Sequence, residues 1–155
     1  MIELNLSHLR RVISLLPKDV TDMLVHRPLM LGGGFIREVI ANEKAHDVDL
    51  FGATEGVLDA AADDLHNFRL EKNANTRILR TKNATSIFSP PRMPVQFIRR
   101  WLFDDAEKLV KSFDFTVCQA AVWFKNDTWH SMAHDNFYVD LAGRHALPRP
   151  LVLEG

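Results

Sequence analysis

Apolar residues recur along this chain with two different periods, and the changes from one to the other mark out its elements. Leu9, Val12, Ile13 and Leu16 fall at helical spacing, and Ser7 stands where a helix N-cap is expected. Pro17 opens a second helix whose inner side carries Val20, Met23 and Leu24. Pro28 fits the start of a short strand over 29–31, which runs into Gly32, Gly33 and Gly34. Phe35, Ile36, Val39 and Ile40 return to helical spacing over 35–44. Val48 and Leu50 then alternate with Asp47 and Asp49, which predicts a strand with one apolar and one acidic face.

A helix over about 54–67 follows, with Val57, Leu58, Ala61 and Leu65 on one side. Strands are expected at 77–81, 85–89 and 95–99, with Lys82-Asn83 turning between the first two. Ser89-Pro90-Pro91 is a loop, because consecutive prolines cannot serve a central strand. Asp104 or Asp105 caps a helix that carries Ala106, Leu109, Val110 and Phe113. The apolar run at 114–124 fits helix and strand equally well. Lys125-Asn126-Asp127 reads as a turn, and a last helix is expected near 135–143. Helices, a strand–helix–strand unit and then mostly antiparallel strands with helices predict a small α+β fold, one domain over residues 1–155.

Composition adds bounds to this picture. With 155 residues, 46% hydrophobic and 25% charged, the chain suits one soluble globular domain. Its net charge of −1 supplies no global attraction to nucleic acid or membrane, although a local patch would suffice for either. The one cysteine, Cys118, excludes an intramolecular disulfide and a cysteine-only metal cluster. The N-terminal residues do not read as a signal peptide, and no run approaches the roughly 20 apolar residues of a membrane span. A cytoplasmic protein is the expectation.

The chemistry concentrates between residues 31 and 52. Side chains at i and i+2 of a strand share a face, so Asp47 and Asp49 converge, with their backbones roughly 7 Å apart. Two carboxylates on one face suit a magnesium ion, which keeps waters and takes further oxygens from substrate phosphates. A glycine turn feeding a helix suits the phosphates themselves.

The order and spacing of these parts resemble the signature of the nucleotidyltransferases related to DNA polymerase β. The nearest branch holds the CCA-adding enzymes and bacterial poly(A) polymerases, with G-G-x-V-R-D-x-L-L-G, a short spacer and D-x-D. Gly33, Gly34, Ile36 and Arg37 match that motif, Glu38 stands for its Asp and Asn42 for its last Gly, and Asp47 and Asp49 fall on the metal-binding pair. Downstream, Phe113-Asp114-Phe115-Thr116-Val117-Cys118-Gln119-Ala120 is similar to R-R-D-F-T-x-N-A, with Phe113 in place of the second arginine and Gln119 in place of the asparagine. The two motifs cover about residues 29–124, the extent of a catalytic head domain, and nothing after them resembles the neck, body and tail of the full-length enzymes.

The resemblance implies a nucleotidyltransferase fold that transfers a nucleoside monophosphate from an NTP to an acceptor hydroxyl, by analogy an RNA 3′ end. Asp47 and Asp49 would hold Mg2+ or Mn2+, and Gly32, Gly33 and Gly34 would let the phosphates approach. Arg37 would bind the triphosphate or brace an aspartate, and Asp114 would contact the ribose or orient the site. Two departures stand against this: the strand expected to carry a third carboxylate offers Gln96, and Phe113 removes a cationic phosphate contact. The alternative is a nucleotidyltransferase-like domain that binds a nucleotide or a protein partner without catalysis.

Plainer readings stand beside the sharper ones. Asp114 also suits a helix N-cap, and Arg37 a solvated helix position or a salt bridge. His130 and His134, four apart, have the spacing of zinc ligands on a helix but lack a third partner, so surface or structural roles are favoured. His46 reads as a loop histidine and Cys118 as a buried packing residue. Arg77, Arg80, Lys82, Arg99 and Arg100 read as a solvated sheet face rather than a polynucleotide patch, and Trp101, Trp123 and Trp129 as core or rim.

Overall fold

A computed structural model describes residues 1–143; residues 144–155, which the single-domain expectation includes, lie outside the described part. In chain order the elements are α1 (Leu6–Leu15), α2 (Lys18–His26), β1 (Leu29–Gly32), α3 (Gly34–Ile40), β2 (Val48–Gly52) and α4 (Glu55–Leu70). Then come β3 (Arg77–Arg80), β4 (Ala84–Phe88), β5 (Val95–Ile98), α5 (Ala106–Ser112), a 3-10 turn (Thr116–Cys118), β6 (Ala120–Lys125), β7 (Thr128–Ala133) and α6 (Phe137–Gly143). The fold is α+β, as the alternation of periods predicts.

The strands form one seven-stranded sheet in the order β3-β4-β5-β2-β1-β6-β7. All neighbours are antiparallel except β2 and β5, which run parallel with Val48 opposite Val95 and Asp49 opposite Gln96. Pleating divides the side chains between two faces. Leu29, Leu31, Val48, Leu50, Ile87, Val95, Phe97, Ala120 and Val122 share the larger core with residues of α1, α2, α3, α4 and α6. Met30, Phe51 and Ala121 point the other way and pack with Ala106, Leu109 and Val110 of α5. That second face also presents Asp49, Gln96 and Ser86, aligned across β2, β5 and β4.

Local capping explains where several helices begin. Asn5, not Ser7, caps α1: its Oδ1 accepts the Ser7 N–H at 2.9 Å, so the helix starts two residues earlier than the Ser7 reading implies. Thr54 caps α4 and Asp105 caps α5, the latter accepting from the Lys108 N–H at 2.8 Å, while Asp104 pairs with the Lys108 ammonium. The ambiguous run at 114–124 is both kinds of structure in succession, a 3-10 turn and then β6. β7, which the sequence reading omits, completes a hairpin with β6 around Asn126 and Asp127, both at positive φ (54° and 60°), the pattern of a type I′ turn. His130 therefore lies on a strand, stacked on Trp123, and His134 follows that strand, so the helical spacing that would pair them is absent.

Candidate functional site

β1 ends at Gly32, which lies directly opposite Asp49 of β2. Gly33 follows with φ 80° and ψ −142°, a backbone state close to one that only glycine occupies readily, and Gly34 begins α3. The approach is close. A Cβ on Gly32 would stand 3.1 Å from the Phe51 ring and 3.2 Å from the Phe113 ring, and one on Gly33 would stand 3.9 Å from Asp49 Oδ2. The Gly33 N–H is already engaged with the Ala120 carbonyl at 3.4 Å, so the turn offers close backbone approach more than that particular donor.

α3 turns two charged side chains inward. Arg37 is 6% exposed and Glu38 5%, which removes the solvated-helix reading of Arg37. The Arg37 Nη1 donates to Cys118 Sγ at 3.4 Å, tying α3 to the 3-10 turn. Arg37 Nη2 and Glu38 Oε1 each stand 3.6 Å from where a Cβ of Gly34 would be, so both heads lie against the glycine turn. Glu38 Oε2 and His46 Nδ1 are 2.5 Å apart. By sequence Glu38 is a motif substitution and not one of the expected site residues. Its signal was its place in the GGFIRE run, one turn from the glycines.

Asp47 is the last residue before β2 and Asp49 lies within it. Burial, with the Asp47 and Glu38 charges, pushes the Asp49 carboxyl up to about 7. Asp47 is also raised, first by burial and then by Glu38, while His46 opposes the shift. Asp49 Oδ1 is buried without a hydrogen-bond partner. Three carboxylates are thus near enough to repel one another, and an unpartnered acceptor sits among them, which is the electrostatic complement of a cation. Among the described residues no group of three or more His, Cys, Asp or Glu side chains is arranged to hold a metal ion. A two-carboxylate magnesium site completed by phosphate and water oxygens needs no third protein ligand, so the donor set fits that ion.

The other candidate residues divide. Gln96 is the β5 partner of Asp49, so the position expected for a third carboxylate holds an amide and Glu38 of α3 supplies the third negative charge instead. The Phe113 ring packs edge-on against Phe51 (5.8 Å, 86°) and over Gly32 and Gly33. Gln119 fixes that approach by donating from Nε2 to the Phe113 carbonyl at 2.9 Å. Asp114 itself is exposed, and the N-cap position of the 3-10 turn after it is Phe115, with no side-chain cap, so the helix-cap reading does not hold. Arg80 pairs with Asp59 and Asp63, and Arg99 with Asp59 and the Thr81 carbonyl, while Arg77 lies over Phe88 and Arg100 over Trp101. These cations do not gather around Asp49.

A glycine turn laid against an acidic strand in this sheet order defines a nucleotidyltransferase-like fold, and solved structures agree. The chain is similar to the Thermotoga maritima CCA-adding enzyme complexed with tRNA (TM-score 0.63, 17% identity, 92% of this chain and 35% of that one). It is similar also to a CCA-adding enzyme in complex with CTP (0.63, 16%, 92% and 36%) and to a tRNA nucleotidyltransferase with a primer tRNA and an incoming ATP analog (0.55, 15%, 75% and 34%). The chain belongs to the Gabija anti-defense 2 family, whose model matches residues 7–144. A curated relative, Gabija anti-defense 2 of Bacillus phage SPbetaL7, is 26% identical over 127 residues, which are 82% of this chain and 30% of the relative. The chain therefore spans under a third of that relative's length. No helix among the described residues is long and apolar enough to cross a membrane.

Proposed function

We propose that this domain is a magnesium- or manganese-dependent nucleotidyltransferase, acting in the cytoplasm, and that its transfer of a nucleoside monophosphate serves to counter a Gabija defence. The observation that carries the reading is the buried, unpartnered Asp49 oxygen, beside Gly33 and within the field of Asp47 and Glu38. In the proposed reaction the acceptor oxygen bonds to the α-phosphorus, the bridge to the β-phosphate breaks and pyrophosphate leaves. The metal held by Asp47 and Asp49 would supply charge stabilisation to the entering and leaving oxygens. Residues 32–34 keep the phosphate path free of side chains from the turn itself, and Arg37, through Cys118, holds α3 in place beside it. The acceptor is proposed as an RNA 3′ end, because solved relatives of this fold are complexes with tRNA.

A second reading is favoured by one observation. The Phe113 ring lies over Gly32 and Gly33, where the related motif has an arginine, which suits a domain that binds a nucleotide or a protein partner without transferring. Incubation with α-labelled NTPs, Mg2+ or Mn2+ and RNA separates the two. Label should pass to RNA and fall by about 100-fold or more in Asp47→Asn and Asp49→Asn, the size of effect typical for loss of a transition-state electrostatic group. Nucleotide-dependent thermal stabilisation with no label transfer would establish the second reading instead.

A further inference from the structure

On the helical side of the sheet, opposite the face that bears Asp49, the start of α2, the end of α4 and the 89–92 loop enclose a cleft of about 440 Å3. Lys18, Arg69, Lys72 and Arg92 line it against two carboxylates, Asp19 and Asp22. Arg69 is the innermost of these, 2% exposed. Asp19 accepts from Arg69 Nε at 2.8 Å and Nη2 at 3.0 Å, and from Arg92 Nη1 at 3.1 Å and Nη2 at 3.3 Å. One carboxylate thus serves two guanidiniums. The Arg69 Nη1 is left buried with no hydrogen-bond partner. Lys72 is held over the Phe68 ring at 4.5 Å, on the rim of the same cleft.

An arginine whose donor is buried unpaired is costly, and a cleft with two cations in excess lacks its counter-charge. Packing alone does not require that excess: Asp19 suffices to hold α2 to α4 through Arg69, and neither lysine makes an ion pair there among the described residues. A doubly charged group with several acceptor oxygens would complement both the charge and the guanidinium N–H groups that Asp19 leaves over, Arg69 Nη1 first among them. We propose that this cleft is a second ligand site, separate from the Asp47/Asp49 site, that takes a phosphate dianion, either free or as a terminal monoester. Arg69 and Arg92 read the oxygens, Lys18 and Lys72 supply charge at the rim, and Asp19 holds the two guanidiniums in register. The 89–92 loop continues to Pro94, whose carbonyl accepts the Val48 N–H at 3.0 Å between the two site aspartates, so occupancy of the cleft has a short backbone route to that pocket.

The test is titration of the 15N-labelled full chain with inorganic phosphate, followed by short oligoribonucleotides with and without a 5′-phosphate. Saturable shifts are expected at Arg69, Asn73, Ser89 and Arg92, unchanged in an Asp47→Asn/Asp49→Asn variant. Affinity should fall roughly 10-fold or more in Lys72→Gln/Arg92→Gln, the size set by losing charge-assisted bonds; both residues are at the surface, and circular dichroism checks that the variant stays folded. Tighter binding of the 5′-phosphorylated strand than of inorganic phosphate identifies a polynucleotide end as the source, and equal binding identifies free phosphate. Absence of saturable shifts in the cleft, or shifts confined to residues 32–37, overturns the proposal. The second outcome would leave the nucleotide pocket intact, and loss of label transfer would leave the cleft intact, so the two readings fail separately.

Discussion

Asp49 pays a penalty for its position that can be measured directly. Its carboxyl titrates near 3.8 in an unfolded chain and at about 7 in the folded one, chiefly because burial disfavours the charge and then because Asp47 and Glu38 repel it. Below the lower value both states are protonated and the group contributes nothing to pH dependence. Between the two values the unfolded chain releases a proton that the folded chain retains, so stability falls as pH rises, and above about 7 the loss is complete. The displacement corresponds to at most about 4 kcal/mol. Asp49→Asn should therefore be no more stable than the parent at pH 4 but more stable by about 1–4 kcal/mol at pH 8, read from urea unfolding at both values. A difference that stays flat with pH would show that Asp49 is not held in this environment. That the Asp47 and Asp49 charges lie close together was legible from the i, i+2 spacing, although Asp47 stands just before the strand that carries Asp49. Glu38 was not, because one helical turn places a residue outward or inward only once the neighbouring layer is known.

The glycine turn and α3 act as one piece, and the turn's backbone sets where that piece points. Gly33 adopts φ 80° with Asp49 Oδ2 close behind it, so Gly33→Ala should cost about 1–3 kcal/mol through strain at that backbone state. Thermal unfolding measures the loss, and an unchanged midpoint would contradict the turn geometry. Most element boundaries followed from periodicity, since apolar side chains on β1, β2 and β5 do alternate between two packed faces. The run at 114–124 could not be divided from sequence because a 3-10 turn contributes only two short-range bonds, Cys118 N–H to Phe115 and Gln119 N–H to Thr116, before β6 begins. β7 was missed for a different reason. Its Thr128, Trp129, His130, Ser131 and Met132 are only partly buried or exposed, which blurs alternation, although the Asn126-Asp127 turn was itself readable.

Across the molecule, the two faces of the sheet are covered unequally. Helices α1, α2, α3, α4 and α6 share the core on one face, whereas α5 packs on Met30, Phe51 and Ala121 of the other, beside the Asp49–Gln96–Ser86 row. The proposed nucleotide site therefore lies where a glycine turn, an acidic strand and one helix meet beside α5, and the arginine-lined cleft lies among the helices on the opposite side. Sequence motifs pointed to the first because its parts are nearly contiguous. They could not point to the second, whose Asp19, Arg69 and Arg92 are brought together only where α2, α4 and the 89–92 loop meet. The most direct test of the proposed nucleotide site is Mn2+ titration in the presence of ATP, followed by paramagnetic broadening of backbone amide signals. Broadening should begin at Gly33, Gly34, Val48 and Asp49 at low Mn2+ and vanish in Asp47→Asn/Asp49→Asn. Broadening that starts elsewhere, or persists in that variant, would contradict a metal–nucleotide site at the glycine turn.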